Sequence, residues 1–293
     1  MQLFMGIIRN KILSLDSTKY YHCISRCVRR AFLCGIDSET NKDYSYRKNI
    51  IKEHLILLTN IYCIEICAYA IMCNHIHLVL HVNVDKALLL TNEEVIKRWS
   101  VLYPSSGSKI QLLILNNEDK SIIDKEIDRC RQNLYSISSF MKCFNQKLAI
   151  IFNREDNCKG RFWEGRFKSI AIPDQESLIN VMSYVDLNPI RAKMVSSPEE
   201  HDFSSISERF KKAKMELTKL ERSSYNVNMK EETINNLPQL NYLMPFNSQS
   251  DNSIYINLSD YFRKISIDGK VVSENYKLID SQTNTIMKKL IIS

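Results

Sequence analysis

Glycine is scarce in this chain, with only six glycines among 293 residues. Phosphate-cradling loops and Rossmann turns need closely spaced glycines, because their backbone turns tightly and approaches the phosphate. No segment of the sequence has that spacing. The sequence therefore gives no indication of a P-loop or of a dinucleotide-binding fold.

Paired cysteines are also missing. The nine cysteines form an odd set without any Cys-x-x-Cys pair, which disfavours both a disulfide framework and a zinc ribbon. Cys63, Glu65 and Cys67 would share one face of a strand, and with Cys73 and two nearby histidines they could form a zinc cluster. Buried reduced thiols explain these cysteines more simply.

Long apolar runs do not occur in the sequence. No stretch approaches 18 apolar residues, and residues 1–13 contain neither a sufficient apolar core nor a small-residue cleavage signature for secretion. We therefore expect a cytoplasmic protein that has no membrane partner.

The composition is that of a folded and moderately basic protein. Hydrophobic residues make up 44% of the chain, and 40 Lys and Arg against 33 Asp and Glu give a net charge of +7. This excess favours a polyanionic partner. It is smaller than the strongly basic footprint of a protein that coats DNA.

Hydrophobic periodicity predicts strands and helices in mixed order. Strands are predicted at 20–28, 62–72 and 75–82, with an extended segment at 161–172. Helices are predicted at 45–60, 92–103, 124–152 and after Asp174, which would be an N-cap. This order predicts an α+β fold, in which an antiparallel sheet carries helices on one side. A change to charged and polar sequence predicts a boundary near residue 205, followed by a partly helical extension over 206–293.

Two histidines at alternating positions, His75 and His77, lie in the apolar strand-like run that begins after Cys73. Positions two apart share one strand face, so both imidazoles can reach a single divalent ion. The pattern alone fits a hydrogen-bonded histidine pair at a strand edge equally well.

Tyr184 and Asn188 are four residues apart in a segment that follows an amphipathic run. A helix would place the phenol and the amide on one face, so a nucleophile and a metal ligand could come from one element. Pro189 disfavours helical dihedral angles at Asn188, and Asn188 is equally well explained as a cap for the next helical turn. A partly buried tyrosine is the alternative for Tyr184, and Tyr135 is the other candidate nucleophile on a helix.

Cations alternate with aromatic residues between 154 and 168. Such a stretch can neutralise phosphates and stack exposed bases of single-stranded DNA, unless the aromatic residues belong to the core. A second basic group lies near the first strand. The candidate DNA-binding residues are Arg161, Arg166, Lys168, Arg26, Arg29 and Arg30, and the candidate stacking residues are Phe162, Trp163 and Phe167.

The His75–His77 motif, the stretch 160–169 and the segment 184–193, in this order, resemble the single-tyrosine HUH transposases, and above all the REP-associated tyrosine transposases. Residues 21–35 also look like the first strand and turn of that family. The likeness covers roughly residues 19–203. It implies a ferredoxin-like or RRM-like HUH sheet in a catalytic domain over 1–205. A short stretch at 256–262 faintly resembles a C-terminal element of longer members, and a packing helix is the simpler interpretation.

The resemblance also implies a function. Tyr184 would attack single-stranded or hairpin DNA and form a 5′-phosphotyrosine, while His75, His77 and Asn188 hold Mg²⁺ or Mn²⁺. Manganese carries equal weight, because imidazoles suit softer ions than magnesium. The sequence does not identify the base that accepts the phenol proton, and it leaves open a monomer or a homodimer.

Two alternatives remain at this point. A non-catalytic DNA-binding protein could keep the same fold after the loss of transposition. A metal hydrolase could use His75 and His77 with water as the nucleophile, and it would leave Tyr184 dispensable.

Overall fold

The structure, a computed structural model, describes residues 18–28, 33–37, 41–222, 240, 242–247 and 253–275. The candidate DNA-binding residues Arg29 and Arg30 lie outside these ranges, as do residues 1–13 and the polar stretch 223–236.

Four strands form one antiparallel sheet in the order β2-β3-β1-β4. A short turn at Cys73 and Asn74 joins the second and third strands into a β-hairpin. The order is that of a ferredoxin-like β-α-β-β-α-β sheet, so the predicted α+β fold class is confirmed. The strands are β1 (Tyr20–Arg26), β2 (Ile64–Ile71), β3 (His75–Val82) and β4 (Lys168–Ile172).

Ten helices lie within the described ranges, and side chains mark where several of them begin. Thr91 and Glu94 form a capping box at the start of one, and Asp174 accepts a hydrogen bond from the backbone N–H of Ser177, as an N-cap should. The helices are α1 (Arg47–Ile61), α2 (Val84–Leu89), α3 (Asn92–Leu102), α4 (Pro104–Leu115), α5 (Lys120–Leu134), α6 (Ile137–Glu155), α7 (Gln175–Asp186), α8 (Asn188–Arg191), α9 (Ser205–Arg222) and α10 (Leu258–Asn275).

The helix predicted over 124–152 is two helices, α5 and α6. Ser136 separates them, because its side chain accepts a hydrogen bond from the backbone N–H of Ser139 and caps the second helix. The apolar periodicity continues across the break, and this continuity hid the break in the sequence.

Helices cover both faces of the sheet, so the expectation of helices on one side is wrong. One face packs against α1 and α6 through residues such as Ile66 and Phe144. The other face packs against α7, α9 and α10 through residues such as Ala70, Val185 and Phe262. The reason lies in β2, whose side chains are apolar on both faces and therefore need cover on both.

The C-terminal helices contribute directly to this second core. Phe210 of α9 and Phe262 of α10 stack with ring centroids 4.2 Å apart. Tyr261 and Phe262 are fully buried, so the segment 256–262 supplies a packing helix. The domain boundary near residue 205 stays a prediction. No helix in the described part of the chain is long and apolar enough to cross a membrane.

Candidate functional site

Three imidazoles meet on the sheet face that α7 covers. His75 and His77 of β3 have ring centroids 4.7 Å apart, and His22 of β1 stacks on His77 at 5.1 Å. His22 Nε2 lies 2.9 Å from His77 Nδ1. Strand pairing explains the contact: Ile24 is opposite His77, so His22 is a diagonal neighbour on the same face.

Tyr184, near the C-terminal end of α7, faces this cluster. Its ring centroid lies 6.0 Å from that of His77 and 6.3 Å from that of His22. The side chain is 44% exposed, and the Arg191 guanidinium lies 5.5 Å from the ring centroid. The structure therefore brings the candidate nucleophile and both predicted metal-binding histidines together at a place that solvent reaches.

The environment keeps all three imidazoles neutral at neutral pH. Burial lowers the pKa of His22 and His75 to about 4 and, together with the other two histidines, that of His77 to about 3. Arg26, directly opposite His75 on β1, is one of the groups that lower the pKa of His75 and His77 to these values. Neutral imidazoles have a lone pair to offer, which is the form that binds a metal ion.

The two predicted ligands have atoms that fit a metal ion. Nε2 of His77 is buried and has no hydrogen-bond partner among the described residues. Nδ1 of His75 is hydrogen-bonded to the side-chain oxygen of Asn74, which leaves Nε2 of His75 for another partner. No group of three or more His, Cys, Asp or Glu side chains in the described ranges is arranged to hold a metal ion.

The zinc cluster drawn from the cysteines does not form. Glu65 is hydrogen-bonded to His81 at 2.9 Å, and the Cys67 sulfur lies 3.5 Å from that of Met244. All nine cysteines lie in described ranges, none is in a disulfide, and six are buried. Cys63 and Cys67 are fully buried, and Cys73 is half-buried.

Asn188 lies just beyond the tyrosine helix. α7 ends at Asp186, and Asn188 is the buried first residue of the short helix α8, although Pro189 disfavours helical dihedral angles there. The capping interpretation is wrong, because Leu187 is the N-cap residue of α8 and no side chain caps it. Metal ligation by Asn188 stays a prediction.

The other candidate nucleophile lies elsewhere. Tyr135 follows the last residue of α5 and packs against the core on the face that α1 and α6 cover. It therefore lies across the sheet from the histidine cluster.

A buried carboxylate fixes the end of the tyrosine helix, and no local sequence pattern predicts it. Asp186 accepts hydrogen bonds from the Ser205 hydroxyl at 2.5 Å, the Ile206 backbone N–H at 3.1 Å and the Tyr261 hydroxyl at 2.6 Å. Ser183 donates a hydrogen bond to Asp268 of α10 at 2.5 Å. Tyr184 thus lies between two residues that α9 and α10 hold.

Two of the candidate basic residues lie beside the site, and two more lie in an adjoining loop. Arg26 and Lys168 lie on strands beside the histidines, opposite His75 and Ile24 respectively, and both are exposed. Arg161 and Arg166 are exposed in the loop before β4, and backbone hydrogen bonds join this loop to the end of β1.

The predicted base-stacking role of the aromatic residues is wrong. Phe162, Trp163 and Phe167 are only 2%, 9% and 9% exposed. The Trp163 indole N–H donates to the backbone oxygen of Asn145 at 2.8 Å, which fixes the ring against α6. These rings are part of the core, and the exposed chemistry of the loop is its positive charge.

His22 is the site residue that the sequence did not reveal. Its alternation with Ile24 and Arg26 predicts that they share a face, but only the pairing of β1 with β3 places that face beside His77. The sequence does show a histidine in the first strand, but it does not show the register of β1 against β3, and only that register identifies His22 as a neighbour of His77.

Among solved structures, this chain is similar to a REP-associated tyrosine transposase bound to a REP hairpin, the class of protein that the sequence motifs resemble. The two chains are 13% identical, the match covers 78% of this chain and 92% of that chain, and the TM-score is 0.34. No family model matches the sequence, and no curated protein matches it significantly.

Proposed function

We propose that this chain nicks and joins single-stranded DNA in the manner of a transposase, with Tyr184 as the nucleophile. The observation that supports the proposal best is the position of Tyr184, an exposed phenol whose ring lies 6.0 Å from the neutral imidazole of His77. A hydrogen-bonded histidine pair that served only the fold would not need an exposed tyrosine beside it. A nucleophile and a metal-binding pair do need to be neighbours.

Mg²⁺ or Mn²⁺ would be held by His75 and His77, with the amide oxygen of Asn188 as a further ligand. Bound there, the ion would act as a Lewis acid and withdraw charge from the non-bridging oxygens of the scissile phosphate. The unpartnered Nε2 of His77 supports this assignment, because no group in the described ranges engages this nitrogen and it is available to an ion.

Tyr184 would supply the covalent chemistry. Its phenol oxygen, after losing its proton, attacks the phosphorus in line, a new phosphorus–oxygen bond forms, and the bond from phosphorus to the 3′ oxygen breaks. The products are a 5′-phosphotyrosine and a free 3′ hydroxyl. The reverse attack by a 3′ hydroxyl rejoins strands and releases the tyrosine, so no external energy source is needed.

DNA would be held by charge. Arg26 and Lys168 flank the histidines on the sheet, and Arg161 and Arg166 are exposed on the adjoining loop. Each cation that neutralises a phosphate releases a counterion, so binding should weaken steeply with salt. We expect single-stranded or hairpin DNA to be preferred over blunt duplex. His22, His75, His77 and Tyr184 all come from one chain.

The test is a covalent-adduct assay with a pool of hairpin oligonucleotides that carry randomised single-stranded flanks and a 3′ label. The proposed reaction leaves the protein on the labelled fragment, and a denaturing gel detects it. We expect an adduct with Mn²⁺ or Mg²⁺ and none with a chelator. Tyr184→Phe should abolish the adduct and keep DNA binding, because only the phenol oxygen is lost. Tyr135→Phe is the matched control and should behave as the parent does.

The possible results separate the alternatives. Nicking that persists in Tyr184→Phe would transfer the reaction to water as the nucleophile and favour the metal hydrolase. Loss of the adduct in Tyr135→Phe would assign the nucleophile to that tyrosine. DNA binding without an adduct under any metal condition would favour the non-catalytic DNA-binding protein.

A further inference from the structure

The hydrogen bond between His22 and His77 has a direction that the surroundings determine. Each neutral imidazole carries one proton, and only one proton can lie between His22 Nε2 and His77 Nδ1. If His22 donated, the proton of His77 would be on Nε2, a buried atom with no partner in the described ranges. A buried N–H without an acceptor costs about 1–3 kcal/mol. This cost favours donation from His77 Nδ1–H to His22 Nε2.

The neighbouring histidine has the same arrangement with a different partner. Nδ1 of His75 contacts the side-chain oxygen of Asn74, and an amide oxygen can only accept a hydrogen bond. The proton of His75 is therefore also on Nδ1. Both histidines of the pair then present Nε2 as the nitrogen with the lone pair.

We infer that His22 is a positioning residue for the metal site: by accepting the Nδ1 proton of His77, it makes Nε2 of His77 the metal-binding nitrogen. This inference deepens the proposed function and rests on it. Asn74 has the equivalent role for His75. Such outer partners fix the tautomer and the ring orientation of a ligating histidine and raise its basicity.

The position of His22 suits this role. The imidazole is 6% exposed and lies nearly parallel to that of His77, with an interplanar angle of 23°. Its Nε2 is already occupied by His77 Nδ1, at 2.9 Å. Removing such a partner typically weakens metal binding by about 10–100-fold.

The experiment measures Mn²⁺ binding to the full chain without DNA, by calorimetry, for the parent and three variants. His22→Phe fills the space but cannot accept a proton, so its dissociation constant should rise about 10–100-fold. His22→Gln has an amide oxygen that can accept, so it should stay much closer to the parent. His54→Phe removes a partly buried imidazole from α1, where it stacks on Phe144, and should leave Mn²⁺ binding unchanged.

A second measurement reports on the hydrogen bond itself and needs no variant. Long-range ¹H–¹⁵N spectra of the metal-free parent distinguish the two imidazole tautomers, and they should show His77 protonated on Nδ1. His22→Phe should lose this preference, while His22→Gln should keep it. A merely structural role for His22 would not change the tautomer of His77.

The outcomes also separate this inference from the proposed function. An Nε2–H tautomer for His77 in the parent would overturn the inference, as would Mn²⁺ binding by His22→Phe as tight as that of the parent. No Mn²⁺ binding by the parent would overturn both. Mn²⁺ binding that depends on His22, in a protein that never forms a DNA adduct, would support the inference and reject the nicking reaction.

Discussion

Replacing Asp186 with alanine should destabilise the folded protein by about 3–5 kcal/mol, the usual cost of removing one partner from a buried charged network. The carboxylate is fully buried, and three donors point at it from α9 and α10. Burial raises the pKa of Asp186, and the donors together with Arg209 oppose that effect. The alanine variant leaves the hydroxyls of Ser205 and Tyr261 buried without this acceptor.

The loss of stability in Asp186→Ala is not the simple sum of the contributions of the three hydrogen bonds. Each bond to a charged group contributes roughly 1.5–3 kcal/mol, but removing the carboxylate also removes the cost of burying it. Tyr261→Phe deletes one donor and keeps the ring, so we expect a loss of about 1–2 kcal/mol. The double variant should be less destabilised than the sum of the two single variants by at least about 0.5 kcal/mol, because the residues share one bond.

Urea unfolding followed by circular dichroism measures these differences. Asp202→Ala is the control, since Asp202 forms an exposed ion pair with Lys211, and such a pair contributes at most about 1 kcal/mol. An Asp186→Ala protein within 1 kcal/mol of the parent, with an unchanged denaturant slope, would refute the reasoning. The C-terminal helices would then not hold the end of the tyrosine helix through this carboxylate.

Three further predictions concern other groups. Burial lowers the pKa of His201 to about 4, below the unfolded value of about 6.5. The free energy of unfolding should therefore fall as the pH falls from 6.5 to 4. In unfolding experiments over that interval, the free energy of unfolding of His201→Gln should fall by about 3 kcal/mol less than that of the parent. Arg47→Met should destabilise the protein by about 3–5 kcal/mol in the same assay, because it leaves two carboxylates without their buried partner. The double variant with Arg161→Ala and Arg166→Ala should bind hairpin DNA with a weaker salt dependence. Fluorescence anisotropy should show the slope of log affinity against log salt reduced by up to about 1.4. The control Lys125→Ala, on α5, should leave this slope unchanged.

The hairpin of β2 and β3 could be predicted closely from the sequence. The strand predicted at 75–82 has those bounds in the structure, because its alternation, its apolar character and the adjoining turn are all local properties. The helix that carries Tyr184 was predicted for the same reason, since its N-cap Asp174 and its period are visible in a dozen residues.

The loop before β4 shows where local pattern stops being informative. Cations and aromatic residues that alternate are typical of a surface that stacks bases, and they are equally typical of a buried edge with an exposed charged side. The choice depends on whether α6 packs there. Phe162 contacts Phe152 of α6 with ring centroids 5.6 Å apart, and this contact joins residues that the sequence does not relate.

The chemistry of the site depends on the register between β1 and β3. The residues that hold this register lie at the end of the strand pair that is away from His75. A slip of one residue between β1 and β3 would turn His22 to the opposite face and remove its contact with His77. Tyr20 opposes this slip, because it lies directly opposite His81, stacks on it at 4.8 Å and accepts a hydrogen bond from Gln175 at 3.0 Å. Gln175 is the first residue of the tyrosine helix. The same contact therefore aligns both β1 with β3 and α7 with the sheet, and it sets Tyr184 against the histidines from nine residues away along the helix.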